Sequence, residues 1–120
     1  MIQFLGTLTL GLTLAQSAFA GPRIVVVESD ELPYYTEPSQ AFLSHFDEPI
    51  SLVNIQGRYA VAEAISDRFK EDPPDVFFCL GAKAAYAIKG LFPKTPIVYA
   101  SILAPGRFSI SGPQIAGVSM

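Results

Sequence analysis

The residues of this chain that could do covalent chemistry are few and lie far from one another. The one cysteine, Cys79, sits inside the apolar run Asp75 to Leu80, where a small buried thiol is the expected role rather than a nucleophile. The one histidine, His45, falls in the amphipathic stretch Ser39 to Phe46 with no acidic or thiol partner at a useful spacing, so a surface or half-buried helix position is expected. No Cys/His cluster has metal-ligand spacing, so no metal is expected. Ser29 and Ser101 each follow an apolar run, but no base is placed to activate either hydroxyl. A phosphate-cradling loop needs a glycine-rich turn after a strand, and Leu80-Gly81-Ala82-Lys83 carries one glycine. Asp75 stands at the start of its strand, the wrong edge of a sheet for a phosphoacceptor. Neither an enzyme nor a cofactor is expected.

What remains is a set of uncharged hydrogen-bonding and aromatic groups: Ser29, Tyr34, Tyr35, the backbone amides from Gly81 to Lys83, and Ser101. Such a set suits capture of a small polar or zwitterionic ligand. A carboxylate would sit on the helix start at Ala82, where unsatisfied amides and the helix dipole favour an anion. A purely structural reading stays open beside it. Asp30 and Glu31 would then be helix-capping residues, the tyrosines packing groups, and Gly81 a tight turn.

The elements that must position these groups are organised by Pro73 to Ser101. Asp75 to Leu80 is an apolar run of β-formers broken by Gly81, Ala82 to Phe92 has helix-forming composition stopped by Pro93, and Pro96 to Ala100 is a second apolar run. A helix between two such runs implies a right-handed parallel crossover, and strands covered on both faces explain why neither run alternates. Around this unit, Arg23 to Glu28 reads as the first strand. Pro38 to Phe46 reads as a short first helix with Ala41, Phe42 and Phe46 on one face. Ile50 to Ile55 is the second strand, and Arg58 to Glu71 is a helix with Val61, Ala64, Ile65 and Phe69 as its apolar stripe. Ser101 to Arg107 reads as a loop and Ile115 to Met120 as a fifth strand. The pattern predicts an α/β, flavodoxin-like open parallel sheet of order 2-1-3-4-5 with helices on both faces. In such a sheet ligands bind at the carboxyl ends of the strands, where Ser29, Gly81 and Ser101 all fall.

Composition sets the compartment and narrows the partners. Met1 to Ala20 holds an apolar stretch, Phe4 to Ala15, and ends in Ala18-Phe19-Ala20, the small-x-small pattern that signal peptidase accepts. Cleavage after Ala20 and export to the periplasm are expected, leaving residues 21–120 as one domain. An uncleaved membrane anchor is the other reading, although the apolar stretch is shorter than the about 20 residues a span needs. All 8 basic and all 11 acidic residues follow Ala20, so that domain is mildly acidic, which argues against nucleic acid as a partner.

Three ordered blocks carry a resemblance. Pro74-Asp75-Val76-Phe77-Phe78-Cys79-Leu80-Gly81-Ala82-Lys83-Ala84-Ala85, then Phe92-Pro93 through Pro96-Ile97-Val98-Tyr99-Ala100-Ser101, then Gln114-Ile115-Ala116-Gly117-Val118-Ser119-Met120 resemble the ABC transporter substrate-binding proteins of the tryptophan/tyrosine-type family. Ser29-Asp30 and Pro33-Tyr34 are similar to that family's first loop. The resemblance implies a type I periplasmic binding protein-like fold, here its N-terminal lobe alone with the second lobe absent. It also implies a small solute, for instance an aromatic amino acid, as ligand and an ABC permease as partner. Carried onto this chain, the ligand-facing positions would be Ser29, Tyr34, Gly81, Ala82, Ser101 and Leu103. Members usually carry Thr where this chain has Ala82, which removes one hydroxyl from the helix start. The other class of function left open is a structural or protein-interaction module that self-associates through the lobe surface.

Overall fold

The computed structural model describes residues 22–47, 50–103 and 105–119, the side chains of 108 and 119 excepted. The expected signal segment, Met1 to Ala20, lies outside the described residues, as do Glu48, Pro49, Ala104 and Met120. The chain runs β1 (Ile24–Glu28), α1 (Pro33–Leu43), β2 (Ser51–Asn54), α2 (Tyr59–Ser66), β3 (Val76–Leu80), α3 (Ala82–Leu91) and β4 (Ile97–Ile102). A 3-10 turn (Pro105–Phe108) and β5 (Ile115–Ser119) follow. The five strands form one all-parallel sheet of order β2-β1-β3-β4-β5, the flavodoxin-like arrangement expected.

Apolar pairing explains the register. Val25, Val27, Val53, Phe77, Cys79 and Ile97 point to one face and pack against Ala62 of α2 and Ala84, Ala85, Ala87 and Ile88 of α3. Alanines on the buried side of α3 let that helix approach the sheet closely, while Phe77 fills the centre between Phe92 (ring centroids 4.8 Å apart) and Phe69 (6.4 Å). The opposite face is covered by α1, whose Phe42 packs on Phe78 at 4.3 Å. At the amino edge Asp75 accepts a hydrogen bond from the Arg23 backbone N–H (2.7 Å), and the Arg23 guanidinium pairs with Asp72 (2.7 Å), tying the start of β1 to that of β3.

Three elements differ from the expectation. The first helix begins at Pro33 rather than Pro38, because Pro33 takes the first-turn position and Pro38 is carried inside the helix. Tyr34 and Tyr35 therefore belong to the first turn of α1 and not to a loop. The second helix closes at Ser66 rather than Glu71. There the Ser66 hydroxyl donates to the Glu63 carbonyl (2.7 Å), and the Arg68 and Phe69 amides bond back to Ile65 and Ser66, three residues away. Its buried side chains are Ala62 and Ser66, with Ala64 exposed. The fourth strand continues to Ile102 through an irregularity between Tyr99 and Ile102, with Ser101 at φ +60°.

Candidate functional site

The parallel ladder continues past the strands and knits the carboxyl edge together. The Ser29 amide donates to Leu80 O (3.0 Å), Gly81 to Ala100 O (3.0 Å), Ile55 to Glu28 O (3.0 Å) and Gly57 to Ser29 O (2.7 Å). Chain order reverses between β1 and β3, so Ser29 and Gly81 flank the crevice where an open α/β sheet places ligands.

At that crevice Gly81 is the N-cap of α3 and has no side chain to bond the helix's first amides. Ser29 supplies the missing group from the neighbouring strand. Its buried hydroxyl accepts from the Ala84 amide (3.0 Å) and donates to Leu80 O (2.7 Å). Ser29 and Gly81 are thus brought together as a frame beneath the surface. Ser29→Ala would leave the buried Ala84 amide without its acceptor, and a loss of about 1–3 kcal/mol in urea unfolding is expected. An undiminished unfolding midpoint would count against the capping role.

The other predicted positions lie above this frame. Tyr34 is 47% exposed and meets Tyr35 edge-on, 5.2 Å between ring centroids, while Tyr35 leans half-buried over Gly81. Pro38 has no N–H to give the Tyr34 carbonyl, and the Ser101 hydroxyl reaches that carbonyl at 3.4 Å, bringing Tyr34 and Ser101 together across the crevice. Ala82 is half-buried at the start of α3. Leu103, 69% exposed, stands just past β4.

Sequence reasoning missed a neighbouring groove. An open cavity of about 350 Å³ lies along the first half of α3, lined by Ala82, Lys83, Tyr86, Arg107 and Ser109. Tyr86 follows Ala82 by one helical turn, on the side of α3 opposite the buried alanines, and that spacing was the readable signal. Arg107 is brought alongside by the 3-10 turn, which Lys89 clamps to α3 by donating to Ser109 O. Lys83 and Tyr86 also line a second groove with Gly57, Tyr59 and Ala87.

Neither the cysteine nor the histidine opens on this edge. Cys79 is fully buried in the core, and desolvation pushes its thiol far above the ordinary range. Iodoacetamide should leave Cys79 unmodified in the folded protein at pH 8 and label it in denaturant, as read by mass spectrometry. His45 is exposed just beyond α1. Among the described residues no cluster of His, Cys, Asp and Glu could hold a metal ion, and no helix is long and apolar enough to cross a membrane.

Solved structures share this architecture. A conserved domain protein from Vibrio cholerae superposes with a TM-score of 0.74 at 21% identity, over 83% of this chain and 39% of that one. An ABC domain in complex with L-Trp from Streptococcus pneumonia gives 0.66 at 17% identity, over 81% and 37%. A ligand-free, open substrate-binding protein with adhesive properties from Clostridium difficile gives 0.70 at 18%, over 82% and 39%. The likeness is one of fold. This chain spans about two fifths of the length of each of the three. No protein-family profile and no curated protein matches it.

Proposed function

We propose that this chain is the N-terminal lobe of a solute-binding protein, one wall of a cleft that holds a small ligand without transforming it. The observation that carries the reading is the fold shared with neighbours that include a domain in complex with L-Trp and a substrate-binding protein, combined with a carboxyl edge of hydroxyl, aromatic and backbone groups. Tyr34, Ala82, Ser101 and Leu103 form the ligand-facing surface, and Ser29 and Gly81 hold it in shape. A single wall buries less of a ligand than the about 70–90% that a closed site covers, so binding by this chain alone is weak. In the cell the lobe serves an ABC importer, delivering solute to its permease from the periplasm after cleavage behind Ala20.

Two measurements test this. Titration of the isotopically labelled chain with tryptophan, phenylalanine, tyrosine and a broad panel of other small solutes should move amide resonances at Tyr34, Ala82, Ser101 and Leu103. Silence at all four across the whole panel would overturn the reading. Mass spectrometry of the exported protein should give an N-terminus at Gly21, whereas an intact Met1 would refute cleavage.

A second reading is favoured by one specific observation. On the face covered by α1, the β4–β5 half carries exposed apolar side chains, Val98 at 42% and Val118 at 73% with Ala116 beside them, although parallel strands are ordinarily covered on both faces. A self-associating module would bury that face. Sedimentation velocity at micromolar concentration decides the point, since a stable dimer supports this reading and a monomer removes it.

A further inference from the structure

We propose that the groove between α3 and the Pro105–Phe108 turn selects an organic oxyanion, a carboxylate or phosphate joined to a single flat apolar body, with the charge held by Lys83 and Arg107 and the body laid on Tyr86. The inference deepens the solute-binding reading and rests on it, because the groove opens on the same carboxyl edge. Charge is the first observation. The chain has a net charge of −3, yet among the described residues this groove is lined by two cations and by no carboxylate. Neither Lys83 nor Arg107 forms an ion pair or donates a side-chain hydrogen bond among the described residues; the nearby Lys89 ammonium, by contrast, is engaged by Ser109 O. Asp30 is an acidic group near Lys83. Its Oδ2 and the Lys83 Nζ lie 3.3 and 3.5 Å from the point where a Gly57 Cβ would stand, and no ion pair joins them.

Shape is the second observation. The groove's volume of about 350 Å³ is at the small end for ligand sites, room for one ring and its charged group. Tyr86 is 57% exposed and lines it, and Ala82 leaves space that a larger residue would fill. A guanidinium matches the paired oxygens of a carboxylate or phosphate, and an ammonium adds a point charge beside it. A zwitterion fits less well, since its ammonium would meet the same two cations.

The test is a titration of the labelled full chain with phenyl phosphate, phenylacetate and phenylalanine, followed at the amides of Ala82, Lys83, Tyr86, Arg107 and Ser109. The expected order of affinity is phenyl phosphate, then phenylacetate, then phenylalanine, with binding weakened as salt rises. Lys83→Gln and Arg107→Gln should each weaken phenyl phosphate by up to about fivefold, the upper end for solvent-exposed charge pairs. Lys83→Arg should restore it. Tyr86→Ala should erase the preference for phenyl phosphate over inorganic phosphate. All three side chains are exposed, and unchanged circular dichroism would show that the variants fold. Phenylalanine binding as tightly as the anions, or anion affinity indifferent to both glutamine variants, would overturn the inference. If amino acids move Tyr34 and Ser101 while the anions leave the groove unmoved, this inference falls and the solute-binding reading stands. If no solute moves any carboxyl-edge amide, both fall.

Discussion

Gly81→Ala should be the most damaging small substitution at the carboxyl edge, costing about 2–6 kcal/mol, from backbone strain of about 1–3 and overpacking of about 1–3 kcal/mol. Gly81 sits at φ +94° and ψ 159°, a region that only glycine occupies freely. An added Cβ would stand 2.6 Å from Tyr35 Cε1 and 2.9 Å from Ser29 Cβ, and closer still to the Ser29 hydroxyl. Neither neighbour has an easy escape. Ser29 is held by Leu80 O and the Ala84 amide, and Tyr35 is fixed in the first turn of α1. Against a typical total stability of about 5–15 kcal/mol, the variant would be marginal. Urea unfolding should show a lower midpoint with an unchanged slope. Adding Ser29→Gly removes one of the two clashes, so the double variant should lose less than the sum of the single losses. Strict additivity would show that contact with Ser29 is not part of the cost.

The same geometry explains what could and could not be read from the chain. The strands were legible because Val25 to Val27 and Phe77 to Leu80 are apolar without alternation, the mark of strands covered on both faces, and Ile97 to Val98 is apolar too although Val98 is exposed. The order of the sheet followed from the crossover around α3. The start of the first helix was not legible, because Pro33 and Pro38 both qualify as first-turn residues. Only packing shows that the helix tolerates the second, with the Ser101 hydroxyl reaching the Tyr34 carbonyl that Pro38 gives no N–H. Ser29 was placed on the right edge for an incomplete reason. Its partners Leu80 and Ala84 are 51 and 55 residues away, and nothing local marks a serine as the cap of a distant helix. The Tyr86–Arg107 groove failed for a related reason: a helix residue and a turn residue become one surface only once Lys89 pins the turn to α3.

Phe77→Ala is the counterpart in the core, with an expected loss of about 3–5 kcal/mol. Phe77 is fully buried on the central strand and holds Phe69, Phe92 and the inner side of α3 at their distances from the sheet. Truncation removes more than buried area, because a small apolar void of about 10 Å³ already lies beside Phe77 among Val27, Val53, Ile55, Ile65 and Ile88. The new space would join the old one. Walls formed by β-branched side chains on paired strands cannot move inward to close it, so the cost should fall in the upper part of the range. Such a cavity has almost no polar lining and should stay dry. Saturating benzene should therefore raise the thermal midpoint of Phe77→Ala while leaving that of the unmodified chain in place. A variant that benzene does not stabilise would mean that α3 has settled onto β3. In that case the Gly81 turn at the head of α3 should move as well, and the amides of Ala82 to Ala84 would report it.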